Sequence, residues 1–435
     1  MRRALFVLTV AILSGTGPSY GQTTASTPPT PALAAKEKPT TPTPQATAPA
    51  VATKATSNLP GSAEPTFDRG TAGRLKEAIQ KYAAIAARGG WPKIPADAKF
   101  ALDAAGANDA LLRQRLIAEG DLTADRASGA LDAEVVAAIK RFQTRHGLPP
   151  VGTVGPKTMA ALNVPVEERS KQLEASLLRT SAIGFGFGTR FVAVNIPAAY
   201  VEAVENDKVV HRYRVVVGKT EKPSPTVSTE ITDINLNPRW TVPASITKNE
   251  IANHMRKDPT YLSRMHMQLY DEHDAVVDPT SVNWNADKAP GVIVRQDPGP
   301  WNALGELKIN MPNAYAVYMH DTNQRSMLSR DYRFDSHGCV RVDQVRDLAT
   351  WLLQDTPGWD RAKIDFAIAS GERQSVPLTK KVPVAWIYLT GWMTRDGVVH
   401  FRDDVYDQDD QLLDATAEEK AFFEQAQRNS DKSTN

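Results

Sequence analysis

The chain has 435 residues, 41% hydrophobic and 23% charged, with 51 basic against 50 acidic side chains. This length holds two or three domains with ordinary cores, and nothing in the balanced charge points to a nucleic-acid or strongly acidic partner. A single cysteine, Cys339, excludes any intramolecular disulfide.

The opening "MRRALFVLTVAILSGTGPSYGQ" has two arginines, an apolar run from Ala4 to about Leu13, then small and polar residues. It reads as a signal peptide over residues 1–21 and places the protein outside the cytoplasm; the run is short of the ~20 apolar residues a membrane span needs. Residues 22–64, rich in Pro, Thr and Ala, predict a disordered linker. Helical spacing of Leu75, Ile79, Tyr82 and Ile85, stopped by Gly89-Gly90, predicts a helical scaffold over 65–107. Two more helices follow in "NDALLRQRLIAEGDL" and "LDAEVVAAIKRFQTRHGL", the second with an apolar stripe of Val135, Val136, Ile139 and Phe142 and a stop at Gly147. A turn rich in Gly and Pro then leads into a short helix with Met159 and Leu162, so that residues 108–170 form a small helical module.

After Phe191 the texture changes. "FVAVNIPAAYVEAV", the turn Glu205 to Asp207 and "KVVHRYRVVVG" predict a hairpin, and "TEITDINL", "ELKINM" and "YAVYMH" predict further strands. "DQVRDLATWLL" predicts a helix with Asp343 as its N-cap. The Met-rich segment from about 247 to 305 is partly helical and is expected to be a lid or a packed insertion. The tail predicts a strand pair around Arg395 to Gly397 that adds an edge to the same mainly β domain, residues 188–415, followed by a polar tail over 416–435.

Cys339 sits in "YMHDTNQRSMLSRDYRFDSHGCVRV". A nucleophilic thiol needs a base and donors for the oxyanion that forms on attack. His320 or His337 can be the base, because an imidazole near pH ~6.5 accepts a proton at neutral pH, and spacing alone permits either. Amides around Gly338 and Cys339 are candidates for the oxyanion donors. A lone thiol is also commonly a buried, inert side chain.

The pattern His320-Asp321-Thr322, with fifteen residues from Asp321 to Asp335 before Ser336-His337-Gly338-Cys339-Val340-Arg341, resembles the signature of the L,D-transpeptidase (YkuD-type) family. "NIPA", "VVVGK", "RQDPGPWNALG" and "MPNAYAVYMHDT" extend the resemblance, which is to the larger Gram-negative branch. "FQTRHGL", "VGPKT" and "ALN" in the helical module resemble a peptidoglycan-binding module. The resemblance implies an α-helical wall-binding module beside a YkuD-type β-sandwich with a substrate-capping insertion. It implies Cys339 as nucleophile and His320 as base, with His337, Gly338, Ser336 and Asp321 supporting the oxyanion and the base. No cofactor or metal is implied, and the partners are peptidoglycan stem peptides as donor and acceptor, with cell-wall synthesis proteins as further candidates. The expected activity is a periplasmic transpeptidation that releases D-Ala from a tetrapeptide stem and makes a 3-3 type crosslink. Many family members have Asn two positions after the cysteine, where this chain has Arg341. A guanidinium there suits a stem carboxylate, and an internal salt bridge is the plainer alternative. Tyr318 and Trp301 are weaker substrate-contact candidates, for which core packing would also account.

Other readings remain open at this level. Water could deacylate the enzyme, giving an L,D-carboxypeptidase, or the acceptor could be another stem position, a protein or a free D-amino acid. His320, Asp321, His337 and Cys339 could ligate zinc, although no His-Glu-x-x-His is present. A non-catalytic wall-binding protein would need only the helical module. Oligomeric state is not legible.

Overall fold

Helix α1 (Thr71–Ala87) buries Leu75, Tyr82 and Ile85 on one face, and its last carbonyls are capped by the amides of Gly89 and Gly90. The computed structural model describes residues 62–101, 106–286, 290–421 and 425, all within one unit, Thr56–Asn435. The expected signal segment and almost all of the linker lie outside the described residues. Among the described residues, no helix is long and apolar enough to cross a membrane.

Helices α2 (Asp109–Glu119), α3 (Ala133–Arg145) and α4 (Pro156–Leu162) form the small module. Leu112, Leu116, Val135, Ile139, Phe142, Met159 and Leu162 make its core. The Asp132 carboxylate caps α3 by accepting from the amides of Glu134 and Val135. Helix α5 (Val166–Ala182) was not anticipated, because its buried face mixes Val166 and Leu173 with Arg169, Ser176 and Arg179. Those polar groups find distant partners: Arg179 pairs with Asp409, and Ser176 accepts from the Gly391 amide. Such a face lacks an apolar period and is readable only once its partners are in place.

The β domain is built on strands β1 (Arg190–Asn195), β2 (Tyr200–Glu205), β3 (Lys208–Gly218) and β4 (Val227–Leu236). These join β9 (Leu307–Asn310), β10 (Met319–His320), β11 (Phe334–Ser336), β12 (Val340–Val342) and β13 (Gln374–Ile387) in one nine-stranded sheet. Its order is β11-β3-β12-β10-β9-β4-β13-β1-β2, and β2 also pairs with β3. The long β3 therefore closes the sheet on itself, pairing through residues up to Arg214 with β2 and through Val215 and Val216 with β12. Val192, Val201, Val215, Ile234, Ile309, Val340, Val384 and Trp386 fill the inside. Helices α9 (Val345–Leu352) and α10 (Arg361–Ala369) add Leu348, Leu352 and Ile364 to the same core.

Two expectations need correction. Asp343 does not cap α9: the N-cap is Gln344, at φ +47, whose amide donates to the Asp343 carboxylate. The tail does not add an edge either. Strand β13 lies centrally between β4 and β1, with a register shift between Pro377 and Val382 accommodating prolines that cannot donate to the ladder. The predicted pair around Arg395 to Gly397 forms, as β14 (Gly391–Met393) and β15 (Val399–Phe401), but as a separate ribbon. Its Met393, Val399 and Phe401 pack with Leu75, Tyr82, Ile85 and Leu173, so the ribbon joins the helical region to the β domain. The chain then enters α11 (Asp409–Asp414).

The insertion begins earlier and is more sheet-like than expected. β5 (Trp240–Thr241), β6 (Met267–Tyr270), β7 (Val276–Val277) and β8 (Ile293–Gln296) make a four-stranded sheet. It packs on α6 (Ala244–Ile246), α7 (Ala252–Lys257) and α8 (Tyr261–Arg264) around Val242, Ile251, Met255, Leu262, Leu269 and Val294. A π-type turn, Thr247–Ile251, separates α6 from α7.

Candidate active site

The site is assembled by the register of three neighbouring strands. In β9, β10 and β12, Lys308 pairs with His320 and His320 with Arg341, so these three side chains project in one row on one face. One step along, the Val340 amide donates to the Tyr318 carbonyl at 3.1 Å, which sets Tyr318 beside Cys339. Tyr318 is the thiol's nearest polar influence: its backbone N–H and its hydroxyl both act on the sulfur. Among the described residues, no hydrogen bond joins the thiol to an imidazole. Burial pushes the Cys339 thiol up, and Tyr318, Lys308 and Arg341 oppose that without cancelling it. Tyr318 is itself pushed up by burial and by the neighbouring sulfur.

His320 is buried, and its Nδ1 lies 2.5 Å from the Asp321 carbonyl oxygen. A carbonyl only accepts, so Nδ1 carries the proton and Nε2 keeps its lone pair for base chemistry. Burial, with Arg341 and Lys308, pushes the imidazole down to about 3, so it is neutral at physiological pH. Asp321 supports the base through this carbonyl. Its carboxylate faces elsewhere, accepting from the Glu306 amide at 2.9 Å and pairing with Arg325 at 3.0 Å. A cavity of about 410 Å³ opens beside that carboxylate, lined by Asn237, Gly305, Glu306, Thr322 and Arg325; Cys339 is not on its wall.

The Ser336–Cys339 turn is fixed by its own polar groups. Ser336 Oγ donates to the Cys339 carbonyl at 2.6 Å and accepts from the Gly338 amide at 3.2 Å. The Gly338 carbonyl accepts from Ser224 Oγ at 2.8 Å. The Gly338 amide is therefore committed to Ser336, which corrects its expected role as an oxyanion donor. The Cys339 amide, without a hydrogen-bond partner among the described residues, is the donor left for an oxyanion. Gly338 has φ +109, in the region that L side chains avoid. Gly338→Ala should lower kcat/KM by roughly 5- to 30-fold, the equivalent of the ~1–2 kcal/mol such a conformation costs an L-residue; retained steady-state kinetics would show that the turn tolerates a side chain.

The insertion reaches this turn at one point, where Glu250 of the π-type turn pairs with His337 Nε2; Trp240, at the start of the insertion, acts on the Tyr318 hydroxyl nearby. Neither Glu250 nor Lys308 carries a local sequence signal, since each acquires its place from a partner far along the chain; Trp240 stands in "NPRWTVPASI", a stretch that shares the family resemblance. Arg341 does not form the internal salt bridge: no carboxylate lies within ion-pair distance among the described residues. Its Nη1 reaches Gln324 Oε1 at 3.1 Å and Met327 Sδ at 3.2 Å, and its buried Nε has no partner. Trp301 is a packing residue, its ring stacked on His266 at 3.5 Å and its N–H donated to the Asp297 carbonyl. The four residues considered as zinc ligands do not converge, and no cluster able to hold a metal occurs among the described residues.

Against this geometry stand the comparisons with known proteins. Residues 189–364 match the family model described as the L,D-transpeptidase catalytic domain, YkuD. These residues are thus similar to the YkuD family. Residues 105–162 match the model described as "Putative peptidoglycan binding domain", over helices α2 to α4. A curated Haemophilus influenzae protein named "Putative L,D-transpeptidase" is 32% identical over 222 residues, 51% of this chain and 45% of that relative. The chain thus aligns with less than half the length of that relative. Among solved structures, an L,D-transpeptidase from Xylanimonas cellulosilytica is similar at 15% identity, covering 66% of this chain and 98% of its own, with TM-score 0.21. Another, from Stackebrandtia nassauensis, is 13% identical over 66% of this chain and 95% of its own, with TM-score 0.26.

Proposed function

We propose that this protein is an exported, periplasmic L,D-transpeptidase acting on peptidoglycan stems. The observation that carries the reading is the single thiol, Cys339, set beside Tyr318 on the face where His320 keeps Nε2 as an acceptor, within a YkuD domain. Nε2 of His320 takes the thiol proton as sulfur bonds to the carbonyl carbon of the third stem residue. The Cys339 amide donates to the oxyanion. On collapse the C–N bond to the terminal D-Ala breaks, its nitrogen takes the proton from His320, and a thioester remains. A side-chain amine of a second stem then attacks, His320 accepts its proton, and the C–S bond breaks, giving a 3-3 type crosslink and restoring the thiol. No step calls for a cofactor.

Hydrolysis of the same thioester would give an L,D-carboxypeptidase. A capping insertion would favour transfer over hydrolysis by shielding the thioester, and this one brings Glu250 to His337 and Trp240 beside Tyr318. The helical module would hold the wall polymer near the site. Export follows from the N-terminal pattern alone. The test is mass spectrometry of tetrapeptide muropeptides incubated with the purified chain. Dimers lacking one D-Ala, with an intact-protein mass raised by one tripeptide muropeptide, are expected. Tripeptide monomers alone would make hydrolysis the reaction, and unchanged muropeptides with unmodified protein would overturn both.

A further inference from the structure

We propose that Lys308 is a specificity-determining residue that binds the C-terminal carboxylate of the donor stem; this rests on the transpeptidase reading. Lys308 opens the row Lys308–His320–Arg341, next to the base in the β9–β10 register. Its Nζ stands 4.2 Å from the centroid of the Tyr318 ring, whose hydroxyl acts on the neighbouring Cys339 thiol. The ammonium is thus one side chain away from the nucleophile.

This cation is partly buried, yet it has neither an ion pair nor a hydrogen bond among the described residues. The Cys339 sulfur and then the Asp233 carboxylate act on it electrostatically, but neither is an ion-pair partner, and Asp233 is already satisfied by Thr232 Oγ1 at 2.7 Å and Asn310 Nδ2 at 2.5 Å. The Tyr318 ring compensates the charge only in part. A desolvated, unpaired ammonium is unfavourable to maintain, and it marks a place that an anion would complete.

The chemistry of the donor says which anion that is. In a tetrapeptide stem the leaving residue carries a free carboxylate, only one residue beyond the attacked carbonyl. Adjacent residues are ~3.8 Å apart between Cα atoms, so a carbonyl placed on Cys339 brings that carboxylate within reach of a cation beside Tyr318. A stem longer by one residue would carry its carboxylate too far, and a neutral amide in the near position would leave the ammonium unpaired. Lys308 therefore selects stems that end one residue past the scissile bond. Arg341, on the other side of His320, is left for a different carboxylate.

The experiment compares two donors on the full chain: a disaccharide-tetrapeptide and the same molecule with its C-terminal carboxylate converted to a carboxamide. The readout is the acid-to-amide ratio of kcat/KM for wild type, Lys308→Met and Lys308→Arg. Wild type should prefer the acid by roughly 10- to 100-fold, as expected for a charge-assisted contact. Lys308→Met should bring the ratio near one, and Lys308→Arg should restore much of it. Because the ratio cancels any loss common to both donors, an effect on the thiol or on folding does not imitate the result. Equal use of both donors by wild type, or an equal fall for both in Lys308→Met, would overturn the assignment. Consumption of neither donor by wild type would instead remove the transpeptidase reading on which it rests.

Discussion

Cys339→Ala should give neither acyl-enzyme nor crosslinked product, and His320→Gln should keep the fold while lowering kcat/KM by roughly 10²–10⁴-fold, the range for loss of a general base. The argument is positional and electrostatic. His320 Nδ1 is tied to the Asp321 carbonyl, so Nε2 is available as an acceptor, and its burial holds the ring neutral down to about pH 3. The thiol is pushed up by burial. Both shifts favour a neutral thiol beside a neutral imidazole over a preformed thiolate–imidazolium pair such as lowers the pKa of some cysteine proteases. Alkylation of Cys339 by iodoacetamide should therefore be slow at pH 5–7 and rise only on the alkaline side of ~8.5, the ordinary thiol value. A second, low-pH plateau in that profile would reveal a preformed ion pair and refute this account of the resting site. On the proposed mechanism, proton transfer would then belong to the attack itself, in step with carbonyl addition, with the Cys339 amide as donor to the new negative charge.

The second large effect concerns stability. Glu119→Gln should destabilise the protein by about 3–5 kcal/mol, the range for breaking a buried ion pair by removing one partner's charge. Glu119, on α2, pairs with Arg115 and with Arg145 of α3, and accepts from Tyr82 of α1 at 2.5 Å. Arg145 also pairs with Asp121 at 2.5 Å and reaches the Val399 carbonyl of β15 at 3.4 Å. Burial alone would raise the Glu119 carboxyl, but Arg145 and Arg115 more than offset it and hold it well below the carboxylate range. A depressed carboxyl contributes stability that is present above its unfolded pKa, about 4.3, and is lost as pH falls through the folded value. The variant should show a lower denaturant midpoint at pH 7, with a smaller deficit below pH ~4 as wild type loses the same charge. A midpoint unchanged at pH 7 would mean that packing, not this network, holds the helices to the ribbon.

Legibility in the sequence followed how local each determinant was. Helices α1 to α4 were readable because their apolar periods and stops lie within a few residues, and the β2–β3 hairpin because its turn is contiguous with its strands. The cysteine motif was readable because one cysteine, two histidines and a glycine stand in one short window, and Gly338 indeed takes a conformation that glycine favours. Helix α5 was hidden by buried arginines and a serine whose partners lie some 200 residues away. Strand β13 was misjudged because an isolated run of residues does not say whether it has one neighbour or two.

By itself, then, the sequence determined which chemistry is on offer: a thiol, candidate bases, a tight turn, and the strands and helices that carry them. Tertiary structure decided who faces whom. Register across β9, β10 and β12 put Tyr318 on the thiol and Lys308 and Arg341 on either side of His320, the π-type turn brought Glu250 to His337, and packing kept Trp301 against His266. The physical reason is that propensity, periodicity and turn chemistry act over a few residues, whereas a side chain's charge state and partner are set by burial and by strands that meet only when the chain has folded.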